Sequence, residues 1–371
     1  MLDPVTFVRE PTTVSAPSSV VDDLDQTGHR RRALIWVGGL SAVLLATLPL
    51  GVGIGAVSLP PSTVLEIVTH HLFDWPQAVR WSPAQDAIVW QVRAPRVLLG
   101  AVVGAALAAS GVALQALVRN VLADPYLLGV TSGASTGAAA TILFGVGASF
   151  GASTLSVSAF LGALGAGAAV YLIARAGGQV TSTRLLLAGV TVGYILYAAT
   201  SFLIFASGSA EGAQGVLFWL LGSLAGADWP SLAIASVAVA LALAVLVMWG
   251  RHLDVLAIGD NTALSLGVSP SRFRVQVLVV VALCVGAVVA VSGSIGFIGL
   301  VVPHVARRFV GGAHRVVIPV AALVGAIFLV WADVVARVAL QPQELPIGIV
   351  TAVVGAPFLI VLLHRFHGAA T

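Results

Sequence analysis

Asp333 and Arg337 lie four residues apart in an otherwise apolar stretch. That spacing puts two side chains on one helical face and lets them pair. Asp333 is the only carboxylate well inside an apolar segment, where an ionisable group is expensive and usually functional. A proton relay would need more acids at such positions, and the sequence has none. Arg93 and Arg96 open another apolar run as Arg-Ala-Pro-Arg. Their guanidinium forks suit bidentate pairing with carboxylates, although both also read as ordinary arginines reaching for a water boundary. His304 follows Pro303 and reads as a hydrogen-bonded structural histidine, since no His, Cys, Asp or Glu cluster has metal-ligand spacing. Ser132 or Ser135 with His304 would be parts of a serine hydrolase. However, Gly129-Val130-Thr131-Ser132-Gly133 puts threonine at the centre of the nucleophile motif. Cys284 sits in an apolar run and reads as a small buried hydrophobe.

One absence is informative. All 18 basic residues of the Lys+Arg total are arginine, so the chain contains no lysine. A phosphate-binding P-loop needs its lysine. If ATP powers this protein, another chain hydrolyses it.

These residues must be positioned by elements that composition already constrains. The chain has 371 residues, 58% hydrophobic and 9% charged, against about a quarter charged in a soluble domain. Such a chain lacks the polar surface to cover itself, and its solvent must be largely lipid. Residues 1–33 are polar, hold five of the 15 acidic residues, and read as a disordered tail. The tail ends in Arg30, Arg31 and Arg32, and the apolar stretch 33–57 reads as a first spanning helix rather than a signal peptide. Further apolar stretches lie near 93–117, 126–147, 153–174, 185–206, 230–249, 275–292, 296–306, 316–338 and 347–364. Spanning the bilayer core takes about 20 helical residues, so 296–306 is short. Counting it makes ten spans within a permease region 34–366. Then Arg119, Arg175, Arg184, Arg251, Arg272, Arg274, Arg307, Arg308, Arg315 and Arg365 join the N-terminal arginines on one side. Only Arg80, Arg93, Arg96 and Arg337 fall on the other, a strong positive-inside bias. Ten spans with both termini cytoplasmic is the expectation.

Small residues four apart, Gly100 with Gly104 and Gly133 with Gly137, permit close helix approach, either within one bundle or at a dimer seam. Three connections are long. Residues 58–92 and 207–229 are expected outside, the latter with a short interfacial helix near Phe218 and Trp219. Residues 250–274 are expected in the cytoplasm, where Gly259 and Gly267 divide the loop into two short helical pieces. Such a helix–turn–helix suits either a soluble partner or simple interhelical packing.

Three stretches resemble the FecCD-type permeases, the membrane subunits of iron-siderophore, haem and vitamin B12 ABC importers. They are AIGDNTALSLGVSP within the cytoplasmic loop, Arg93 to Ser135, and Gly293 to Arg315 running on to Phe358. The resemblance covers nearly the whole chain after the tail. Val121 and Ser294 replace frequent prolines, and Ala313 replaces a frequent aspartate. These departures bear on local turns rather than on the family.

The resemblance implies an all-α membrane protein of the type II ABC importer permease fold, multi-pass in the cell membrane. It implies a dimer with a second permease subunit, two ABC ATPase subunits that bind the ATP, an extracytoplasmic substrate-binding protein and a metal-chelate substrate. It implies no cofactor in this chain, no enzymatic activity of its own and no nucleic acid. The loop at 250–274 would carry ATPase motion to the helices, with Asp260, Ala263, Leu264, Leu266 and Gly267 as the expected contact surface. Arg93, Arg96 and Arg337 match positions implied to receive acidic residues of the binding protein. Pairing of Arg337 with Asp333 is the competing reading. An ion-gradient-driven secondary transporter is the alternative function, but it usually carries coupling carboxylates near the midplane, and Asp333 alone is a poor candidate. A ferric siderophore is the first expectation for the cargo, with haem and a corrinoid next.

Overall fold

Inside lipid a backbone must satisfy its own peptide groups, which leaves helix as the economical choice for segments that do not close a barrel. The computed structural model describes residues 26–55, 57–176 and 178–368, and these are almost entirely helical. Among them the only β feature is an isolated bridge between Leu340 and Gln343. The all-α expectation holds.

In chain order the helices are α1 (Gln26–Gly53), α2 (Pro61–Phe73), α3 (Pro83–Asp86), α4 (Ala94–Val118), α5 (Val130–Phe144), α6 (Thr154–Ala176), α7 (Ser182–Ser207) and α8 (Ala210–Leu221). They continue as α9 (Trp229–Met248), α10 (Gly250–Ile258), α11 (Asp260–Ser265), α12 (Pro270–Ser292), α13 (Ile298–Val310), α14 (His314–Val338) and α15 (Ile347–Gly368). Seven are long and apolar enough to cross a membrane by length and composition, and α5 and α15 contribute shorter apolar stretches. With 13 residues, α13 extends only about 20 Å.

Several boundaries differ from the hydropathy reading. Residues 1–25 of the expected tail lie outside the described residues, and helix α1 already starts at Gln26. Arginine has high helix propensity, so Arg30 to Arg32 extend a helix that hydropathy begins only at its apolar part. The third segment shortens to Val130–Phe144, because Pro125–Leu128 forms a 3-10 turn before it. The Asp124 carboxylate accepts the Tyr126 N–H at 2.9 Å and fixes that turn.

Two prolines shape their surroundings. Pro95 has no N–H and crowds the carbonyl four residues back. Residues Ala87–Arg93 form a π-helical stretch directly before it, with the Ala94 N–H donating to Val89, and the widened turn makes room. Pro303 similarly leaves the Gly299 carbonyl without its helical donor. Gln115 of α4 supplies one, its Nε2 donating to the Gly299 oxygen at 3.3 Å. The Arg307 guanidinium in turn donates to Gln115 Oε1.

Helix α4 is buried along nearly its whole length and packs against α14, α12, α13 and α9. Helices α5, α6 and α7 form a second group that meets the first chiefly through α12. Gly104 and Gly325 set the α4–α14 approach: a Cβ on either would collide with the other's carbonyl oxygen. Gly133 and Gly137 lie in the same way against Gly162 and Ser158 of α6. At these pairs the small residues serve packing within the bundle. Helices α10 and α11 form an elbow at one end of the molecule, and α2 and α3 lie at the other.

Candidate functional site

The elbow is built around one arginine. Gly259 breaks the helix between α10 and α11 with φ 152° and ψ 161°, a backbone region essentially reserved for glycine. The break turns Asp260, the first residue of α11, toward Arg274, the fifth residue of α12. Arg274 Nη2 donates to Asp260 Oδ1 at 2.7 Å and Nη1 to Oδ2 at 3.0 Å. This bidentate pairing is the strong arrangement for a carboxylate. Arg274 is fully buried, and its remaining donors reach the Leu117 carbonyl at 3.3 Å, the Val180 carbonyl at 3.3 Å and Ser182 Oγ at 3.0 Å. One guanidinium thus ties the elbow to the end of α4, the connection before α7 and the start of α7. Arg119 Nη2 adds a longer contact to Asp260 Oδ1 at 3.7 Å. The hydrogen bonds from Arg274 hold the Asp260 carboxyl below the usual carboxylate range, against a smaller opposing effect of burial.

The five residues expected at a partner surface divide. Leu264 and Leu266 are each 61% exposed, two large apolar side chains standing in the open at a polar end of the molecule. Gly267 has positive φ and open space around it. Ala263 is buried beneath them, and Asp260 turns inward to Arg274. Those two form the floor of the elbow. The sequence reading missed the second half of this network, because Arg274 registers there only as a basic flank and its carbonyl acceptors carry no residue signature.

At the opposite end, Arg93, Arg96 and Arg337 are all buried, at 6%, 6% and 5% exposure. Arg96 Nε donates to Asp333 Oδ1 at 2.9 Å, and its other arm meets Glu344 at 2.9–3.1 Å. Arg337 Nε lies 3.0 Å from Asp333 Oδ2. That approach is ionic rather than a hydrogen bond, and the Nε–H is directed at the Asp333 carbonyl at 3.4 Å. The pairing of Asp333 with Arg337 is therefore present, and Arg96 joins it. The remaining donors finish helix α1 and the turn that follows it: Arg93 reaches the Val52, Gly53 and Val57 carbonyls, and Arg337 reaches those of Gly51 and Ile54, at 2.6–3.1 Å. The last carbonyls of a helix have no internal partner and carry its negative dipole end, so two cations from α4 and α14 satisfy them together. Glu344, half-exposed, is the accessible member of the cluster.

Between these ends, a cavity of about 440 Å³ is lined by Asp124, Tyr126, Ser294, Phe297, Leu300 and Ala352, among others. Tyr126 and Ser294 join their hydroxyls at 3.0 Å; among the described residues no arginine or histidine lines it. Ser135 donates back to the Thr131 carbonyl of its own helix at 2.9 Å, and the His304 ring lies edge-on to Phe358 with centroids 6.0 Å apart.

The described residues form a polytopic helical bundle with a buried-arginine elbow between two of its apolar helices, an architecture in keeping with the membrane transport permeases. The sequence profile of the FecCD transport family matches residues 43–365, and the chain belongs to that family. It is 44% identical over 279 residues to the cobalamin import system permease of Halobacterium salinarum, covering 75% of this chain and 74% of that one. It is 38% identical over 283 residues to the Fe(3+)-citrate import system permease of Bacillus subtilis, covering 76% and 82%. A solved inward-facing metal-chelate type ABC transporter superimposes with a TM-score of 0.77 at 34% identity, over 89% of this chain and 98% of that one. The chain is a multi-pass membrane protein of the ABC importer permease fold.

Proposed function

We propose that this chain is the membrane subunit of an ABC importer that carries an iron(III)-siderophore or a related bulky metal chelate into the cell. The elbow carries the reading. Leu264 and Leu266 stand exposed on a segment whose floor is fastened by Arg274 to α4, α7 and α12, so a force applied there reaches spanning helices directly. The absence of lysine removes the P-loop lysine from this chain, which supports nucleotide hydrolysis on two partner ATPase subunits, and this surface is where they would press. With the elbow in the cytoplasm, the arginine distribution argues for ten spans and for both termini on that side.

A second permease subunit completes the assembly. Leu187, Tyr194 and Phe205 of α7 are 65%, 72% and 86% exposed, and Val353 of α15 is 67% exposed. The cavity beside α15 would be one half of a path closed by the partner. Its lining is apolar with a few hydroxyl and carboxylate groups, which suits a chelate whose metal is already coordinated.

Docking of an extracytoplasmic binding protein is proposed to work by exchange. Arg96 is buried but its Glu344 partner is half-exposed, and a carboxylate of the binding protein takes the place of Glu344. Arg93 and Arg337 hold the cluster in shape for that exchange. An ion-gradient mechanism would require an Asp333 free to exchange protons, whereas Asp333 lies between two arginines.

The test is uptake into liposomes containing this chain with its ATPase and binding protein, using a labelled ferric siderophore, cobalamin and hemin. Accumulation of one of these that needs ATP and survives a proton ionophore supports the reading. Uptake without any ATPase, abolished by the ionophore, would sink it.

A further inference from the structure

Helix α10 is fastened to the start of α14 at two places. Asp254 Oδ1 accepts the backbone N–H of His314 at 2.9 Å, and the same oxygen contacts His314 Nδ1. The residue preceding His314, Ala313, occupies the N-cap position and makes no side-chain cap; its methyl group has nothing to accept with. An acceptor at that position ordinarily satisfies one of the orphan N–H groups of a first turn. Here the acceptor comes from a different helix. One turn earlier in α10, Gly250 lies so close to the Arg315 backbone that a Cβ would collide with it. His314 is buried at 5% exposure, so water is a poor substitute for Asp254.

Helix α14 then runs 25 residues, about 37 Å, through the buried centre of the bundle. It arrives at Asp333 and Arg337, which meet Arg96 of α4 and the last carbonyls of α1. The same rod is anchored in the elbow at one end and in the arginine cluster at the other.

We propose that Asp254 and His314 form a positioning pair through which displacement of the α10–α11 elbow moves α14, and that α14 delivers the displacement to the Arg96–Asp333–Arg337 cluster. The inference rests on the transporter reading above. It assigns the pair a role that neither residue's chemistry requires for folding alone. A second fastening, Arg274 with Asp260, links the elbow to α4, α7 and α12. The elbow therefore has separate grips on α14 and on the rest of the bundle, and a rotation of the elbow shifts one against the other.

The test uses the complete complex in liposomes, with cargo transported per ATP hydrolysed as the first readout. The second is a spin-label distance between L72C on α2 and L340C just beyond α14, on a C284S background, with and without nucleotide. Asp254→Ala is expected to lower cargo per ATP roughly fivefold or more, within the usual range of coupling effects, and to shrink the nucleotide-driven distance change. Asp254→Asn keeps an oxygen for the His314 N–H and should restore most of both. Gly250→Ala, which forces α10 away from Arg315, should act in the same direction as Asp254→Ala and serves if that variant does not assemble. Wild-type ratios and distance changes in both Asp254→Ala and Gly250→Ala would overturn the inference. So would a proportional fall of transport and hydrolysis with the distance change intact, which marks a purely structural cap. A wild-type complex that does not couple ATP to uptake refutes the transporter reading itself, a result visible before any variant is made.

Discussion

Arg96 of α4 and Asp333 of α14 meet at 2.9 Å although 237 residues separate them, and both are buried where the two central helices cross. Taking two charges out of water is costly, and removing one partner of such a pair is more damaging than removing both. Asp333→Ala leaves Arg96 and Arg337 facing each other without an anion between them. It is expected to cost about 3–5 kcal/mol, and Asp333→Asn less. Denaturant unfolding of the purified chain in detergent measures it, and the Arg96→Leu/Asp333→Leu double variant should recover part of the loss.

The C-terminal end of α1 depends on side chains from two other helices. Arg93→Leu removes donors to three carbonyls and Arg337→Leu donors to two, with charge-assisted bonds worth roughly 1.5–3 kcal/mol each. Local opening should follow before global unfolding. Faster amide exchange over residues 50–58 than over the interior of α4 is the expected signature in both variants. Uniform exchange along the chain would argue against this clamp.

What the residues announce and what they conceal follows from the same physics. Hydropathy found every long apolar helix because lipid permits little else, and Gly259 announced the break in the elbow because no other residue takes that backbone readily. The ends of helices were less legible. Val118 stops α4 because Arg119 adopts φ 52°, and nothing in an arginine foretells that. Asp333 pointed to Arg337, one turn away, but gave no hint of Arg96, since long-range partners leave no mark in spacing. The acceptors of Arg93 are backbone oxygens, which every residue owns. Its burial was therefore invisible, and the resemblance alone suggested an exposed docking role.

Asp260 gives the elbow a defined pH response. Its carboxyl titrates below the usual range in the folded protein because Arg274 favours the charged form. The resulting stabilisation is present above the ordinary carboxylate value near 3.9 and is lost as pH falls through the lowered one. Asp260→Asn should be less stable than wild type by a constant margin from about pH 5 upward, with the margin closing below about pH 4. Thermal unfolding from pH 3 to 8 checks this. A margin that varies between pH 6 and 8 points to a different group.

Gly104 and Gly325 test the packing of α4 on α14 directly. Their backbones touch, so the obstacle to a side chain is another carbonyl and not a movable side chain. Gly104→Val should cost at least the 1–3 kcal/mol typical of overpacking and lower the yield of folded protein. Gly165, where an added Cβ meets nothing within 4 Å, is the matched control. Substituting it with alanine should leave the melting temperature unchanged or raise it slightly.

The exposed leucines of the elbow separate binding from folding. Leu264 and Leu266 are each 61% exposed, so replacing them with glutamate removes little buried area from the folded chain and should leave its melting temperature near wild type. If they fill an apolar recess on an ATPase subunit, the same changes place two desolvated charges in that recess. Anchors of this kind are worth 2 kcal/mol or more at an interface, a loss of roughly 30-fold in affinity. The L264E/L266E chain should therefore purify folded but without the ATPase. Asp260→Asn, which weakens the floor beneath the leucines, should retain the ATPase and lower only the cargo moved per ATP. Equal retention of the ATPase by L264E/L266E and wild type would move the contact surface elsewhere on this end of the molecule.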